Sequence, residues 1–186
     1  MQIRRAEQSD GAAFAAIYDP VVANHVYSFE AEPPGAAEMS RRVARITQTF
    51  PWLAAEENGD VVGYTYASPH RERAAYRWAV DLAIYVAEHA RRRGVATALY
   101  NALFPMLAEL GYRRALAGIS LPNEPSIELH RRFGFEAVGV YRRIGFKFDA
   151  WHDVSWWCKS LGDEADAPQE PRKWQPDEES RFPAAT

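Results

Sequence analysis

Two rhythms of apolar and polar residues alternate along the chain, and they outline its elements. Residues 2–6 read as a short strand. Ser9 or Asp10 then offers an N-cap to a helix carrying Phe14 and Ile17, because a short polar side chain there accepts from a free first-turn N–H. Pro20 predicts an interruption, with a bend or a second short helix to about His25. YSFEAEPP, residues 27–34, reads as extended and ends in a turn. Met39, Val43, Ile46 and Phe50 recur at helical spacing and predict an amphipathic helix over about 36–49. Residues 52–68, WLAAEENGDVVGYTYAS, read as two strands around Asn58-Gly59, a dipeptide suited to the tight turn of a hairpin.

PHRERAAYR follows as a polar loop, and a strand runs from about Trp78 to Val86. After RRRG, the residues Val95, Leu99, Ala102, Leu103, Met106, Leu107 and Leu110 share one side of a helix. Pro105 predicts a kink in it, and Gly111 closes it. Residues 115–120 form the next strand, and Asn123 or Ser126 begins a helix that ends before Gly134. Two more strands are expected at about 135–146 and 153–160. From residue 163 the chain turns acidic and proline-rich, so 163–186 reads as a poorly ordered tail. Strands and helices in mixed order, with neighbouring hairpins, predict one α/β domain over residues 1–162 with a mixed sheet.

Composition narrows the function classes. The 186 residues suffice for one domain with a proper core. A net charge of -3 excludes a global basic field for nucleic acid. The single cysteine, Cys158, precludes an internal disulfide and fits a reducing cytoplasm. No stretch approaches the roughly 20 apolar residues that cross a bilayer, and MQIRRAEQSDG lacks the apolar core of a signal peptide. A soluble cytoplasmic protein is expected.

The arginines of RRRGVAT must therefore act locally. They stand where the strand DLAIYV hands over to a helix. A helix start carries unpaired N–H groups and partial positive charge, and a glycine there lets an anion approach the backbone. The same run also reads as a solvated charged helix start. A phosphate loop of the Walker type is excluded, because no G-x-x-x-x-G-K-[ST] follows the strand. A dinucleotide fingerprint needs three glycines where only Gly94 is present.

A strand followed by Arg91-x-x-Gly94-x-Ala96 resembles the acyl-CoA pyrophosphate loop of the GNAT superfamily of N-acetyltransferases. FPWLAAEENGDVVGYTYAS, RAAYRWAVDLAIYV, ISLPNEPSIELHRRFGF and GFKFDAWHDVSWW, in that order, resemble the phosphinothricin and methionine sulfoximine acetyltransferases over about residues 2–160. The resemblance implies the GNAT fold: a mixed, mostly antiparallel, V-shaped sheet flanked by helices, with acetyl-CoA in the gap, and a homodimer. It implies that backbone groups of Ile84, Tyr85 and Val86 meet the pantetheine arm in the manner of an added strand. One N–H, that of Val86, would stabilise an oxyanion. Arg91, Arg92, Arg93, Gly94, Val95, Ala96 and Thr97 would wrap the pyrophosphate, and Asn123 would contact the cofactor arm, a role compatible with an N-cap.

The acceptor implied is a small-molecule amine, which attacks only after losing a proton. Asp81 stands where the family carries a glutamate base and is one methylene shorter, so either a water bridges the gap or the base has moved. Burial would raise its pKa, which suits a base; a plain ion pair with an arginine is the other reading. His130 matches a second histidine proposed to act in the family, against a structural role on its helix. Tyr141 is a candidate for protonating the departing thiolate, and Trp151, His152 and Asp153 match a WHD motif that packing explains equally well. Arg71, Arg73 and Tyr76, with Phe29 and Glu30 on the far side, would receive a small amino acid bearing a phosphinate, sulfoximine or sulfone group. His70 departs from the aromatic residue common there. The chemistry calls for no metal. A polyamine, an aminoglycoside or a protein N-terminus as acceptor, and a non-catalytic acyl-CoA-binding domain, are the competing readings.

Overall fold

Period-two segments become strands and period-3.6 segments become helices in the computed structural model, which describes residues 1–162 and 167–175. In chain order these are β1 (Gln2–Arg5), α1 (Gly11–Asn24), α2 (Gly35–Ile46), β2 (Trp52–Glu57), β3 (Asp60–Pro69), β4 (Ala79–Val86), α3 (Val95–Glu109), β5 (Arg114–Ser120), α4 (Glu124–Arg132), β6 (Glu136–Lys147) and β7 (Ala150–Ser160). The strands form one seven-stranded sheet in the order β1-β2-β3-β4-β5-β7-β6. Every pairing is antiparallel except β4 with β5.

Alternation along β2 shows how the sheet divides the core. Leu53 and Ala55 point to a cluster built on α3, with Leu99, Leu103 and Leu107. Trp52 and Ala54 point the other way, into a cluster with Phe14, Val22, Met39 and Val43 of α1 and α2. In that second layer Trp52 stacks on Phe14, Tyr64 and Tyr66 at centroid distances of 5.5, 5.7 and 4.2 Å. Helices on both faces leave the sheet buried through its middle.

Three expectations are corrected. First, α1 runs unbroken through Pro20 to Asn24 where an interruption is expected, and α3 also runs on across Pro105. Each proline strips a partner from the carbonyl four residues earlier. Those residues, Ala16 and Asn101, lie on exposed helix faces, where a carbonyl without a helical partner is open to water and costs least. Second, the last strand begins earlier than its apolar pattern suggests. It meets β6 at Phe148-Asp149, with φ of 52 and 57°, so Trp151 and His152 join Asp153 in β7. Third, residues 167–175 pack against the body where a poorly ordered tail is expected. Trp174 is 4% exposed within the α3-side core, under the Arg5 guanidinium at 4.9 Å. The Arg172 and Trp174 N–H groups donate to the carbonyls of Leu110 and Thr49 at 2.7 and 3.0 Å. The remainder of that expected tail, 163–166 and 176–186, lies outside the described residues.

Candidate active site

The parallel pair opens soon after it forms. β4 and β5 are in register only at Ala79↔Arg114, Val80↔Ala115 and Asp81↔Leu116. β5 then stays with β7 and β4 with β3, so the two strands diverge. A cleft of about 270 Å³ fills the gap. Leu82 to Val86, including Ile84 and Tyr85, form one wall, and Ala117 to Ser120 form the other. The start of α4 closes the far side with Asn123 and Ser126. Polar backbone groups of β4 that face this gap lack a strand partner, and an elongated ligand with amide groups could pair with them.

Arg91 lies at one end of the cleft, where the strand passes through a 3-10 turn into α3. Arg92 has φ of 59° and Gly94 a φ of 84°, and Gly94 caps α3 from the left-handed region that favours glycine. The first intrahelical bond runs from Ala98 N–H to Gly94 C=O at 2.9 Å, which leaves Val95, Ala96 and Thr97 N–H free of helical partners. No acidic side chain occupies that first turn. Arg91 and Arg92 are exposed and have no ion-pair partner among the described residues. Arg93 differs: its guanidinium donates to Glu57 at 2.8 Å. Two guanidinium groups and a bare helix start suit a diphosphate. Asn123 accepts from Ser126 N–H at 3.3 Å and so settles the alternative N-caps of α4 in its own favour.

Asp81 sits on the last rung before the strands part. Burial pushes its pKa up, opposed by a hydrogen bond from His70. That bond, His70 Nδ1 to Asp81 Oδ1, is 2.7 Å long, so the carboxylate's partner is a histidine and not an arginine. His70, Arg71, Glu72, Arg73 and Tyr76 line an open hollow of about 660 Å³ beside it. Arg71, Arg73 and Tyr76 are exposed there. Trp156 of β7 meets the His70 ring edge-on at 5.9 Å and Tyr141 at 5.8 Å, which brings Tyr141 to the same end of the molecule. The Trp156 indole N–H is buried with no hydrogen-bond partner among the described residues.

Phe29 and Glu30 are fastened from below. Lys147 donates to the carbonyls of Val22, His25 and Ser28 at 2.7, 3.2 and 2.8 Å, a cation placed at the negative end of α1. Phe29 then lies flat over Gly145, where an added Cβ would come within 2.2 Å of its ring. Glu30 accepts both Arg42 bonds, at 2.7 and 2.9 Å, and one from Tyr18 Oη at 2.8 Å. The Arg42 pair holds Glu30 below the usual carboxylate range. Both its oxygens are thus taken, and it braces the segment that carries Phe29.

His130 borders the cleft yet is 3% exposed. Its Nδ1 lies 2.7 Å from the Ser126 carbonyl and its Nε2 lies 2.9 Å from Tyr100 Oη. A carbonyl only accepts, so Nδ1 carries the proton and Nε2 accepts from tyrosine. Burial pushes its pKa down. This is a satisfied core histidine, without a free nitrogen to trade protons. A lowered folded pKa means the unfolded chain binds the proton more readily, so the associated stability is present above about pH 6.5 and is lost as pH falls further. Tyr100→Phe is expected to lower stability by about 1–3 kcal/mol, since Nε2 would lose its donor, with kcat little changed; urea denaturation and steady-state rates check both halves.

The WHD residues divide their work. Asp153 accepts from Arg143 N–H at 2.8 Å and from the Arg142 guanidinium at 2.7 Å, pinning the bulge between Tyr141 and Gly145. His152 Nε2 pairs with the Lys147 carbonyl at 2.8 Å, and Trp151 stays on the outer surface. Lys147, Trp156 and Tyr100 escape sequence reasoning, because only the folded register shows what they meet.

Comparison with known proteins gives a consistent picture. A sequence profile of the acetyltransferase (GNAT) domain matches residues 3–156. The chain is 35% identical over 171 residues to a phosphinothricin N-acetyltransferase of Streptomyces viridochromogenes, covering 92% of each. It is 32% identical over 168 residues to an L-methionine sulfoximine/L-methionine sulfone acetyltransferase of Pseudomonas paraeruginosa, covering 89% of this chain and 98% of that one. A crystal structure of a GNAT superfamily phosphinothricin acetyltransferase from Sinorhizobium meliloti, in complex with AcCoA, superposes with a TM-score of 0.87 at 37% identity, covering 97% of this chain and 98% of that one.

Proposed function

We propose, for a chain that belongs to the GNAT acetyltransferase family, that it transfers the acetyl group of acetyl-CoA to the amine of a small amino acid of the phosphinothricin or methionine sulfone type. The observation that carries the reading is the divergence of β4 from β5 at Asp81, between a bare helix start and a cationic hollow. Acetyl-CoA supplies an activated thioester. The backbone of Ile84, Tyr85 and Val86 holds the pantetheine arm, with the Val86 N–H toward the thioester carbonyl. Arg91, Arg92 and the N–H groups of Gly94 to Thr97 hold the diphosphate, with Arg93 contributing its backbone. Asn123 borders the arm.

Asp81 lies on the proton path from the acceptor ammonium, and Tyr141 is placed to protonate the departing thiolate. Arg71 and Arg73 receive the α-carboxylate and the tetrahedral head group of the acceptor, beside Tyr76 and Phe29. Cationic side chains in that hollow favour an anionic acceptor over a polyamine or an aminoglycoside. A thiol-release assay with acetyl-CoA tests this. Turnover is expected with phosphinothricin and methionine sulfone and not with spermidine, an aminoglycoside or a peptide terminus; absence of turnover with every amino acid tried would overturn it.

The working form is a cytoplasmic homodimer. Among the described residues no helix is long and apolar enough to cross a membrane. The end of the sheet at β6 and β7 exposes Val138, Ile144, Phe146, Phe148 and Trp151, with Phe146 at 61% and Trp151 at 51%. An exposed run of large apolar side chains on a terminal hairpin marks an association surface. Phe146→Asp is expected to convert dimer to monomer in analytical ultracentrifugation, with an unchanged circular dichroism spectrum.

A further inference from the structure

The geometry points to the His70 imidazole as the proton acceptor of the reaction: its Nε2 takes the proton of the acceptor ammonium, while Asp81 holds its Nδ1–H. His70 is then the catalytic residue and Asp81 its positioning residue. This rests on the acetyltransferase reading above and names the group that does the proton transfer.

The register of the β3/β4 hairpin creates the pair. Ser68 lies opposite Asp81 and Pro69 opposite Val80, so residue 70 follows diagonally on the same face of the sheet as Asp81. The resulting bond of 2.7 Å joins Nδ1 to Oδ1. An ionised carboxylate only accepts, which places the imidazole hydrogen on Nδ1 and leaves the Nε2 lone pair open. Nε2 has no hydrogen-bond partner among the described residues. The ring is held edge-on by Tyr76 and Trp156, both at 5.9 Å and 74°. Its side chain is 12% exposed, and it borders the hollow that Arg71 and Arg73 share.

The charged and titratable groups facing it are few. Asp81 comes from β4, Tyr76 from a 3-10 turn at Ala74–Tyr76, and Arg71, Glu72 and Arg73 from the loop before it. β7 contributes only the neutral Trp156 indole. The aspartate is short, and one of its oxygens already accepts from the imidazole. His70 lines the hollow while Asp81 does not, so a proton acceptor serving a molecule seated there is the imidazole.

The step balances. The ammonium gives one proton to Nε2, forming an imidazolium that Asp81 stabilises. The neutral amine attacks the thioester carbonyl carbon, so a C–N bond forms. Collapse breaks the C–S bond and expels the thiolate, which takes the Tyr141 phenol proton, and the second nitrogen proton passes to Tyr141. The products are an amide and a thiol, and His70 returns its proton to solvent.

The test compares wild type, His70→Gln and His70→Ala with acetyl-CoA and methionine sulfone. His70→Gln is expected to lower kcat by about 100- to 10,000-fold, with KM for acetyl-CoA unchanged. The bend in the wild-type pH–rate profile should be lost, leaving a rate that climbs steadily with pH as free amine accumulates. Added imidazole should restore turnover to His70→Ala, which a merely structural histidine would not allow. An unchanged kcat and pH profile in His70→Gln would overturn the assignment while leaving the acetyltransferase reading intact. A wild type inactive with every acceptor would sink both. Nitrogen-15 NMR of wild-type protein needs neither variant nor turnover: a His70 tautomer protonated at Nδ1 supports the proposal, and one protonated at Nε2 overturns it.

Discussion

Asp81→Asn is expected to lower kcat by about 100- to 10,000-fold while CoA still binds with near wild-type affinity. The carboxylate stands where β4 and β5 separate, away from the end of the cleft that Arg91 borders. An asparagine amide keeps the shape but loses the charge that stabilises a protonated imidazole, and it can equally donate to His70 and reverse the tautomer. Stability should move the other way. Burial raises the folded pKa of Asp81, so the folded state holds that proton more tightly than the unfolded chain. The stability linked to it is present below about pH 3.9 and is lost as pH rises through the folded value. At neutral pH the charged form is therefore a cost that asparagine removes, and the melting temperature should hold or rise. Calorimetric CoA titration, kcat and a thermal melt at pH 7 check the three parts. A variant retaining full kcat would remove Asp81 from the proton path.

Arg91→Ala and Arg92→Ala are each expected to weaken CoA binding by roughly 10- to 100-fold, the worth of a charge-assisted hydrogen bond of about 1.5–3 kcal/mol. Both guanidinium groups are exposed at the end of the cleft beside a helix start that lacks any acidic side chain. The loss should shrink at high salt, because screening already weakens the wild type. Arg93→Ala should cost much less. Its guanidinium is engaged by Glu57 on the surface, and such exposed pairs contribute about 0–1 kcal/mol. Equal losses at all three positions would show that the charge cluster acts as a diffuse field rather than through two placed side chains.

The contrast between two tight turns shows what was legible in the sequence. Asn58-Gly59 adopts φ of 55 and 89°, and its residues advertise such a turn. Phe148-Asp149 adopts the same left-handed pair of angles with residues that do not. The last strand therefore starts before Asp153, where its apolar pattern begins, and takes in Trp151 and His152. Pro20 misled for a related reason: a proline breaks a helix in proportion to what its lost bond leaves buried, and burial is a property of the fold. The turn at Gly94 was readable as a strand-to-helix junction, and Gly94 caps α3 there with a φ of 84°. The partner of Asp81 was not readable, since it depends on where the polar loop leaves β3. Glu30 and His130 were named for chemistry and turned out to be saturated with local hydrogen bonds. Residue type alone does not distinguish a free acid or base from an occupied one.

Trp174 shifts the boundary of the cooperative unit. Removing a buried tryptophan side chain costs about 3–5 kcal/mol, against a total net stability of about 5–15 kcal/mol for an ordinary domain. The segment that carries it clasps Leu110 after α3 and Thr49 after α2, while the Trp78 indole donates to the Gln169 carbonyl at 2.8 Å. Proteolytic trimming after residue 162 would thus spare every side chain at the reaction centre and still leave an enzyme that melts early. What sustains this protein at its working temperature extends beyond what performs its chemistry.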